Sequence, residues 1–167
     1  YAMPGNQDPE TPWTNSLMLL SAISSVTSHV RLIASAILAP LRHPLLLARE
    51  LGTLDLLSGG RLVVQPTVSW SQDEYAALGV PFRQRGKILD DMIPALRALW
   101  SGGWVEYHGT QIDFGPLMIE PHPTKQVPIW NGGHTDPALR RAARLCDGWV
   151  GNAYPDDEAD HYIGRLK

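Results

Sequence analysis

The sequence predicts an α/β fold in which parallel strands alternate with helices. The run 31–38 has almost no polar residues, which is typical of a strand covered on both faces in a parallel sheet. Strand-like and helix-like segments then alternate along the chain, which indicates right-handed crossovers. No G-x-G-x-x-G motif follows any predicted strand, and its absence argues against a dinucleotide-binding open sheet. A barrel is therefore favoured over a doubly wound sheet.

Composition restricts the classes of function. The chain has 167 residues and a formal net charge of −3, so we expect one domain, 1–167, with no electrostatic reason to bind nucleic acid. Its apolar runs are too short to span a bilayer, so no membrane partner is expected. A single cysteine excludes an intrachain disulfide and fits a reducing, cytoplasmic compartment.

The predicted elements follow from hydrophobic periodicity and from capping residues. In the first helix, Thr14 or Asn15 is the predicted cap, and the apolar stripe is Leu17, Leu20, Ile23 and Val26. The predicted helices are 15–28, 44–57, 71–78, 86–100, 137–146 and a last one from about 156. The predicted sheet strands are 31–38, 61–68, 128–131 and 149–150.

Punctuating residues support these boundaries. Pro44 suits a first helical position and Gly59 the residue past a helix end. Ser71 and Glu74 have capping-box spacing, and Asp136 is a candidate cap. The alternating stretch WVEYHGTQIDF predicts a hairpin outside the main sheet, within an insertion at about 102–127.

Several stretches together resemble the bacterial luciferase-like monooxygenase family, in its flavin- or deazaflavin-dependent oxidoreductase branch. They are APLRHPLLLARELGTLDLLSGGRLVV, SWSQDEYAALGVPFRQRGKILDDMIPALRALWSGG, VEYHGTQIDF, PIWNGG and LRRAARLCDGWV. The resemblance implies a TIM-type (β/α)₈ barrel, which needs about 250 residues. We therefore expect a partial barrel of about four βα units, either a fragment of a longer protein or a reduced member. Open sheet edges would favour a homodimer or association with the missing barrel parts.

The resemblance implies a cofactor site at the carboxyl ends of the strands. Family members often carry a bulge with a cis non-prolyl bond late in the strand at 31–38, and Ser35 and Ala36 match that position. A small-residue bulge chosen only for packing is the alternative. The next strand end has Gln65, Thr67 and Ser69 where the family usually has glycines.

The polar side chains of that strand end predict a cofactor site built differently from the usual one. The amide of Gln65 and the hydroxyl groups of Thr67 and Ser69 could hydrogen-bond a phosphate, a ribityl chain or a ring edge. The predicted cofactor contacts in this loop are Thr67, Val68 and Ser69. A loop that has lost ligand contact is the alternative. Trp70 stands where the resemblance implies an acidic catalytic residue in some deazaflavin enzymes, and it is predicted to form a wall of the substrate pocket by stacking. Plain packing of the indole is the alternative.

The third predicted contact is the turn Asn131, Gly132 and Gly133. Backbone N–H groups at a glycine turn before a helix suit a phosphate or a ring carbonyl, and a turn needed only for geometry is the alternative. We expect the side chains of Ser35, Thr67 and Asn131 to surround one flat redox ring.

The remaining charged residues give no catalytic assignment. The six histidines lack metal-ligand spacing, so no metal site is predicted. We expect Asp90 and Asp91, and the basic set Arg140, Arg141 and Arg144, to be solvated. Catalytic residues stay unassigned, because the family's acid–base positions after its first two strands have no counterpart in this chain.

Three hypotheses about function follow. The first is an oxidoreductase that transfers a hydride between the deazaflavin coenzyme F420 and a small organic substrate. The second is an FMN-dependent monooxygenase that uses reduced flavin and O₂. The third is a non-catalytic fragment or structural partner, which the missing strands favour.

Overall fold

A computed structural model describes residues 14–151 and 156–166. Its helices are α1 Ser16–Val26, α2 Pro44–Ser58, α3 Gln72–Ala77, α4 Arg85–Leu99, α5 Asp136–Leu145 and α6 Asp156–Gly164. Its strands are β1 Leu32–Leu38, β2 Leu62–Thr67, β3 Val105–His108, β4 Asp113–Leu117, β5 Trp130–Gly132 and β6 Gly148–Val150. Every predicted helix and strand within this part of the chain is present, with boundaries shifted by at most about two residues.

The main strands are parallel and lie in the order β1, β2, β5, β6. β1 pairs with β2, and β5 pairs with β6. A parallel bridge between Val64 and Ile129 places β5 beside β2. The antiparallel pair β3–β4 forms a hairpin outside these strands, as expected for the insertion. The carboxyl ends of all four parallel strands therefore lie on the same side of the molecule.

One face of these strands packs against helices. Side chains of β1, β2, α2 and α4 share a single apolar core, which includes Ala34, Val64, Leu47, Leu51 and Met92. The indole of Trp100 donates from Nε1 to the carbonyl oxygen of Ala48 at 3.0 Å, which ties the end of α4 to α2. The apolar core therefore fixes the helices on the strands and leaves the strand ends free to form a site.

Helix α1 begins as expected and ends early. The Asn15 side-chain oxygen accepts from the backbone N–H of Leu17 at 3.0 Å and of Met18 at 3.3 Å, so Asn15 is the cap. Val26 was predicted to continue the buried stripe, but it is 81% exposed. It is the last helical residue, and the chain turns away there toward β1.

Arg61 fastens the end of α1 to the start of β2. Its guanidinium donates to the carbonyl oxygens of Ser24, Thr27, Val30 and Ser58, and to the Thr27 hydroxyl, at distances of 2.6–3.1 Å. Two of these acceptors are carbonyls near the end of the helix, where intrahelical partners are missing. The Arg61 side chain thus supplies hydrogen-bond donors to the carbonyl oxygens at the end of α1 and connects α1 to the start of β2.

The prediction of solvated charge is wrong for Arg141 and confirmed for Asp90, Arg140 and Arg144, which are exposed. Arg141 is 6% exposed, and its Nε donates to the Asp90 carboxylate at 2.6 Å. Asp91 accepts from the backbone N–H groups of Gln111 at 2.5 Å and Ile112 at 3.3 Å, and so holds the hairpin turn. Both carboxylates therefore fasten α4 to other elements, a role that helix position alone does not reveal.

Helix α5 differs slightly from its prediction. Asp136 is its first residue and Thr135 occupies the cap position, without a side-chain capping bond. Burial raises the pKa of the Cys146 thiol, just past this helix, to about 11. No helix among the described residues is both long and apolar enough to cross a membrane.

Candidate functional site

An open cleft of about 860 Å³ lies at the carboxyl ends of β1 and β2. The start of α1 and the loop between β2 and α3 complete its walls. Six residues singled out from the sequence line it: Ser35, Ala36, Thr67, Val68, Ser69 and Trp70. The structure therefore brings two of the three predicted contact segments together in one cavity.

The end of β1 is distorted where the sequence predicts a bulge. Ser35 is in register with Gln65 and Ile37 with Pro66, so Ala36 is the extra residue. The Ser35–Ala36 peptide bond is cis, as the resemblance implied. Side chains normally alternate between the faces of a strand, yet Ser35 and Ala36 are both exposed. The bulge therefore turns two consecutive small residues toward the cleft.

Ser69 sits inside the capping interaction of α3. Its hydroxyl oxygen accepts from the Ser71 N–H at 3.1 Å, and the hydroxyl donates to the Glu74 carboxylate. Ser71 in turn accepts from the Glu74 N–H at 3.3 Å. In an ordinary capping box the glutamate would reach the cap N–H itself. The Ser69 hydroxyl is therefore already engaged, and Ser69 shapes the wall of the cleft.

The outer wall of the cleft carries an aromatic side chain and two charges. Trp70 is 68% exposed although its neighbours Ser69 and Ser71 are buried, so the loop presents the indole outward. Glu74 and Arg42 are the charged residues among the described residues that line the cleft. Arg42 also pairs with Glu50 at 3.1 Å. The cleft therefore offers one anion, one cation and an aromatic surface at its rim.

The third predicted segment does not line this cleft. Asn131 is 1% exposed, and its amide donates to the carbonyl oxygens of Gly132 at 2.9 Å and Ala138 at 3.0 Å. Its side chain thus lies against α5, on the opposite face of the strand from Gly132. The expectation that Asn131 shares one cavity with Ser35 and Thr67 is therefore wrong. Alternation along a strand of three residues explains the difference, because a shift of one residue reverses the face.

Gln65 reaches from β2 toward the end of β5 and is not among the residues that line the cleft. A Cβ atom built on Gly132 would lie 2.9 Å from the Gln65 Nε2 atom, so the Gln65 side chain reaches across to β5. Gln65 is 5% exposed, and its Oε1 atom is buried without a hydrogen-bond donor among the described residues. From the sequence, the Gln65 amide was a possible hydrogen-bond partner of the cofactor, together with the hydroxyl groups of Thr67 and Ser69. The feature of the sequence that singles out Gln65 is a polar residue within an otherwise apolar strand.

The cleft is large enough for a flat organic ligand. Ligand pockets measure about 300–1,000 Å³, and the cleft volume lies within that range. Its lining combines hydroxyl groups, small residues at the bulge and an indole, which suits a flat polar-edged molecule. The described residues contain no group of three histidine, cysteine, aspartate or glutamate side chains that could hold a metal ion.

Comparison with known proteins assigns the family. The sequence profile of the luciferase-like monooxygenases matches residues 3–167, and the chain belongs to this family. The protein Rv0940c of Mycobacterium tuberculosis is 37% identical over 169 residues, which cover 100% of this chain and 58% of the relative. Pyrimidine monooxygenase RutA of Escherichia coli is 28% identical over 79% of this chain and 38% of its own length. The chain thus spans less than two thirds of these relatives.

Solved structures share the fold. Monooxygenase RslO1 from Streptomyces bottropensis superimposes with a TM-score of 0.82 at 27% identity, over 91% of this chain and 48% of RslO1. Riboflavin lyase RcaE, solved with modified FMN and riboflavin, gives 0.85 at 16% identity, over 93% of this chain and 40% of RcaE. An F420-dependent secondary alcohol dehydrogenase, solved with an F420–acetone adduct, superimposes with a TM-score of 0.83 at 17% identity. The superposition covers 95% of this chain and 49% of the dehydrogenase. Members of the family are oxidoreductases and monooxygenases.

Proposed function

We propose that this chain carries part of the cofactor site of a flavin- or deazaflavin-dependent oxidoreductase that acts on a small organic substrate. The observation that carries the proposal is the cleft at the ends of β1 and β2, which joins Ser35, Ala36, Thr67 and Val68. When bound, such a cofactor supplies the redox chemistry, and the protein supplies position and electrostatics. In this proposal the four parallel strands are a segment of a (β/α)₈ barrel, whose active site lies at the carboxyl ends of its strands.

Each wall of the cleft has a proposed part in binding. The Ser35 and Thr67 hydroxyl groups would hydrogen-bond polar atoms of the cofactor, and Ala36 at the bulge would lie against the ring. Ser69 would act through Glu74 by holding the loop in shape. Trp70 would cover the substrate side by stacking, since an indole donates one hydrogen bond and transfers no proton.

Coenzyme F420 with hydride transfer is the first candidate for cofactor and reaction. Its support is the resemblance together with the fold shared with the F420-dependent alcohol dehydrogenase. FMN with a monooxygenase reaction is the second candidate. Its support is sequence identity, because RutA at 28% and RslO1 at 27% are both monooxygenases and are nearer in sequence.

A fluorescence titration of the chain with F420 and with FMN tests the proposal. We expect saturable binding of one of the two, with F420 the tighter, and weaker binding in Thr67→Val, which removes one hydroxyl group. Tight FMN binding without F420 binding would reverse the order of the candidates. Absence of binding by a folded chain would favour the third hypothesis, a structural partner of a larger assembly.

A further inference from the structure

The amide of Gln65 carries a buried polar atom without a hydrogen-bond partner among the described residues, a property that it shares with the Tyr75 hydroxyl, Arg85 Nε and Asn131 Oδ1. Its Oε1 atom is buried and has no donor among the described residues. Buried acceptors are nearly always satisfied, so an unsatisfied one calls for an explanation such as a missing ligand group. Gln65 is also in register with Ser35 and lies two residues before Thr67, both of which line the cleft. Residues two apart on a strand share a face, so Gln65 and Thr67 lie on the same face of β2.

The sheet leaves space for this side chain. Gly132 on β5 is the residue that Gln65 approaches, and any larger residue there would meet its amide nitrogen. Gln65 and Gly132 together form a large–small pair between β2 and β5.

We infer that Gln65 recognises the N–H edge of the ring bound in the cleft. This inference rests on the proposed function. Flavin and deazaflavin rings both carry an N–H group between two carbonyls, and a glutamine amide offers the complementary acceptor and donors. The terminal torsion of glutamine is broad and nearly two-fold, so the amide can turn its oxygen toward the cleft when a donor arrives. Gln65 thus sets a preference for rings with a free imide N–H.

Ring analogues methylated at the imide nitrogen test the inference on the unaltered chain. The pairs are FMN with 3-methyl-FMN, and 8-hydroxy-5-deazariboflavin with its 3-methyl derivative. For the ring type that binds, we expect about tenfold weaker binding of the methylated ring, the size of one hydrogen bond. Equal affinity for the two members of the pair overturns the inference and leaves the proposed function standing. Failure of both ring types to bind overturns the proposed function and the inference with it.

Three variants assign the discrimination to Gln65. Gln65→Met keeps the length and removes the amide, and we expect it to bind the parent ring about tenfold more weakly and to lose the preference. Gln65→Glu keeps an acceptor and should retain the preference. Gln111→Met is the matched control on the exposed hairpin and should behave as the unaltered chain. A preference that persists in Gln65→Met overturns the inference. If Gln65→Met does not fold, Gln65→Glu and the unaltered chain decide.

Discussion

At the scale of single residues, the contact between Gln65 and Gly132 gives a measurable coupling. Gly132→Ala places a methyl group near the amide nitrogen of Gln65, the far end of a buried but rotatable side chain. We expect this substitution to lower the free energy of unfolding by about 1 kcal/mol, the low end of the usual cost of overpacking, because the amide can shift. In a Gln65→Ala variant, which lacks the amide, Gly132→Ala should change the free energy of unfolding very little.

Urea unfolding of the two single variants and the double variant measures that coupling. Gly115→Ala is the matched control, because a Cβ there meets nothing within 4 Å. Additive effects of the two substitutions would show that Gln65 and Gly132 do not share the space between β2 and β5.

Asp55 predicts a pH dependence of stability. Burial raises the pKa of this carboxyl above its usual range, and the Leu62 backbone N–H opposes the shift. A raised pKa in the folded state means that the folded chain binds the proton more tightly than the unfolded chain. The contribution of Asp55 to stability is therefore present below the unfolded pKa and is lost as the pH rises through the folded pKa.

Asp55→Asn removes this titration and keeps an oxygen that can accept from Leu62. Urea unfolding at about pH 4.5 and pH 7.5 compares the variant with the unaltered chain. We expect the variant to gain stability relative to the unaltered chain as the pH rises. A difference that is independent of pH would mean that the Asp55 pKa is the same in the folded and unfolded chains.

At the scale of elements, Arg61 determines how α1 is held. Arg61→Ala leaves carbonyl oxygens of Ser24, Thr27, Val30 and Ser58 without their donor, so we expect a loss of about 2 kcal/mol or more in unfolding free energy. Arg61→Lys keeps the positive charge but lacks the planar guanidinium group with its several donors. We therefore expect it to recover only part of the lost unfolding free energy. Hydrogen exchange should show the loss concentrated in α1. Equal losses of unfolding free energy in Arg61→Ala and in the exposed control Arg31→Ala would show that the hydrogen bonds of Arg61 do not hold α1 in place.

The elements themselves were predictable because each depends on nearby residues. Pro44 and Gly59 mark the two ends of α2, and Gly59 has the left-handed φ of 66° that a helix end favours. The long-range partners were not predictable. The pairing of Arg141 with Asp90 joins residues 51 positions apart, and nothing in either helix indicates it.

The candidate site was predictable in part for the same reason. Ser35, Ala36 and Thr67 follow from two adjacent long strands whose ends meet in any parallel arrangement. Asn131 lies on a strand of only three residues, where alternation is too short to show which face is which. Gln65 could be singled out from the sequence as a polar residue at a strand end, but its approach to Gly132 on β5 is visible only in the structure.

At the scale of the whole molecule, the sheet has uncovered edges. Within residues 14–151 and 156–166, β1 pairs only with β2 and β6 only with β5. Ile33 on β1 is 36% exposed and Val30 is 42% exposed. Unpaired strand edges recruit further strands, so we propose that a second copy or the remaining strands of a barrel cover them.

Light scattering after gel filtration tests this proposal on the chain as it is. We expect a mass above that of the monomer that falls on dilution, and a smaller mass for Ile33→Lys, which places a charge beside the edge. Ala77→Lys, on the exposed end of α3, is the control. A monomer at every concentration would show that the edges are tolerated in solution.

The thiol of Cys146 has a practical use. With a pKa of about 11 it is almost entirely protonated at neutral pH, and only the thiolate reacts readily with maleimides. Because the chain has no other cysteine, a new one at an exposed position such as Glu106 should accept a fluorophore selectively, without mutating Cys146. Mass spectrometry after brief labelling should find much less adduct on the unaltered chain than on Glu106→Cys, and such selective labelling would permit distance measurements between the hairpin and the cleft.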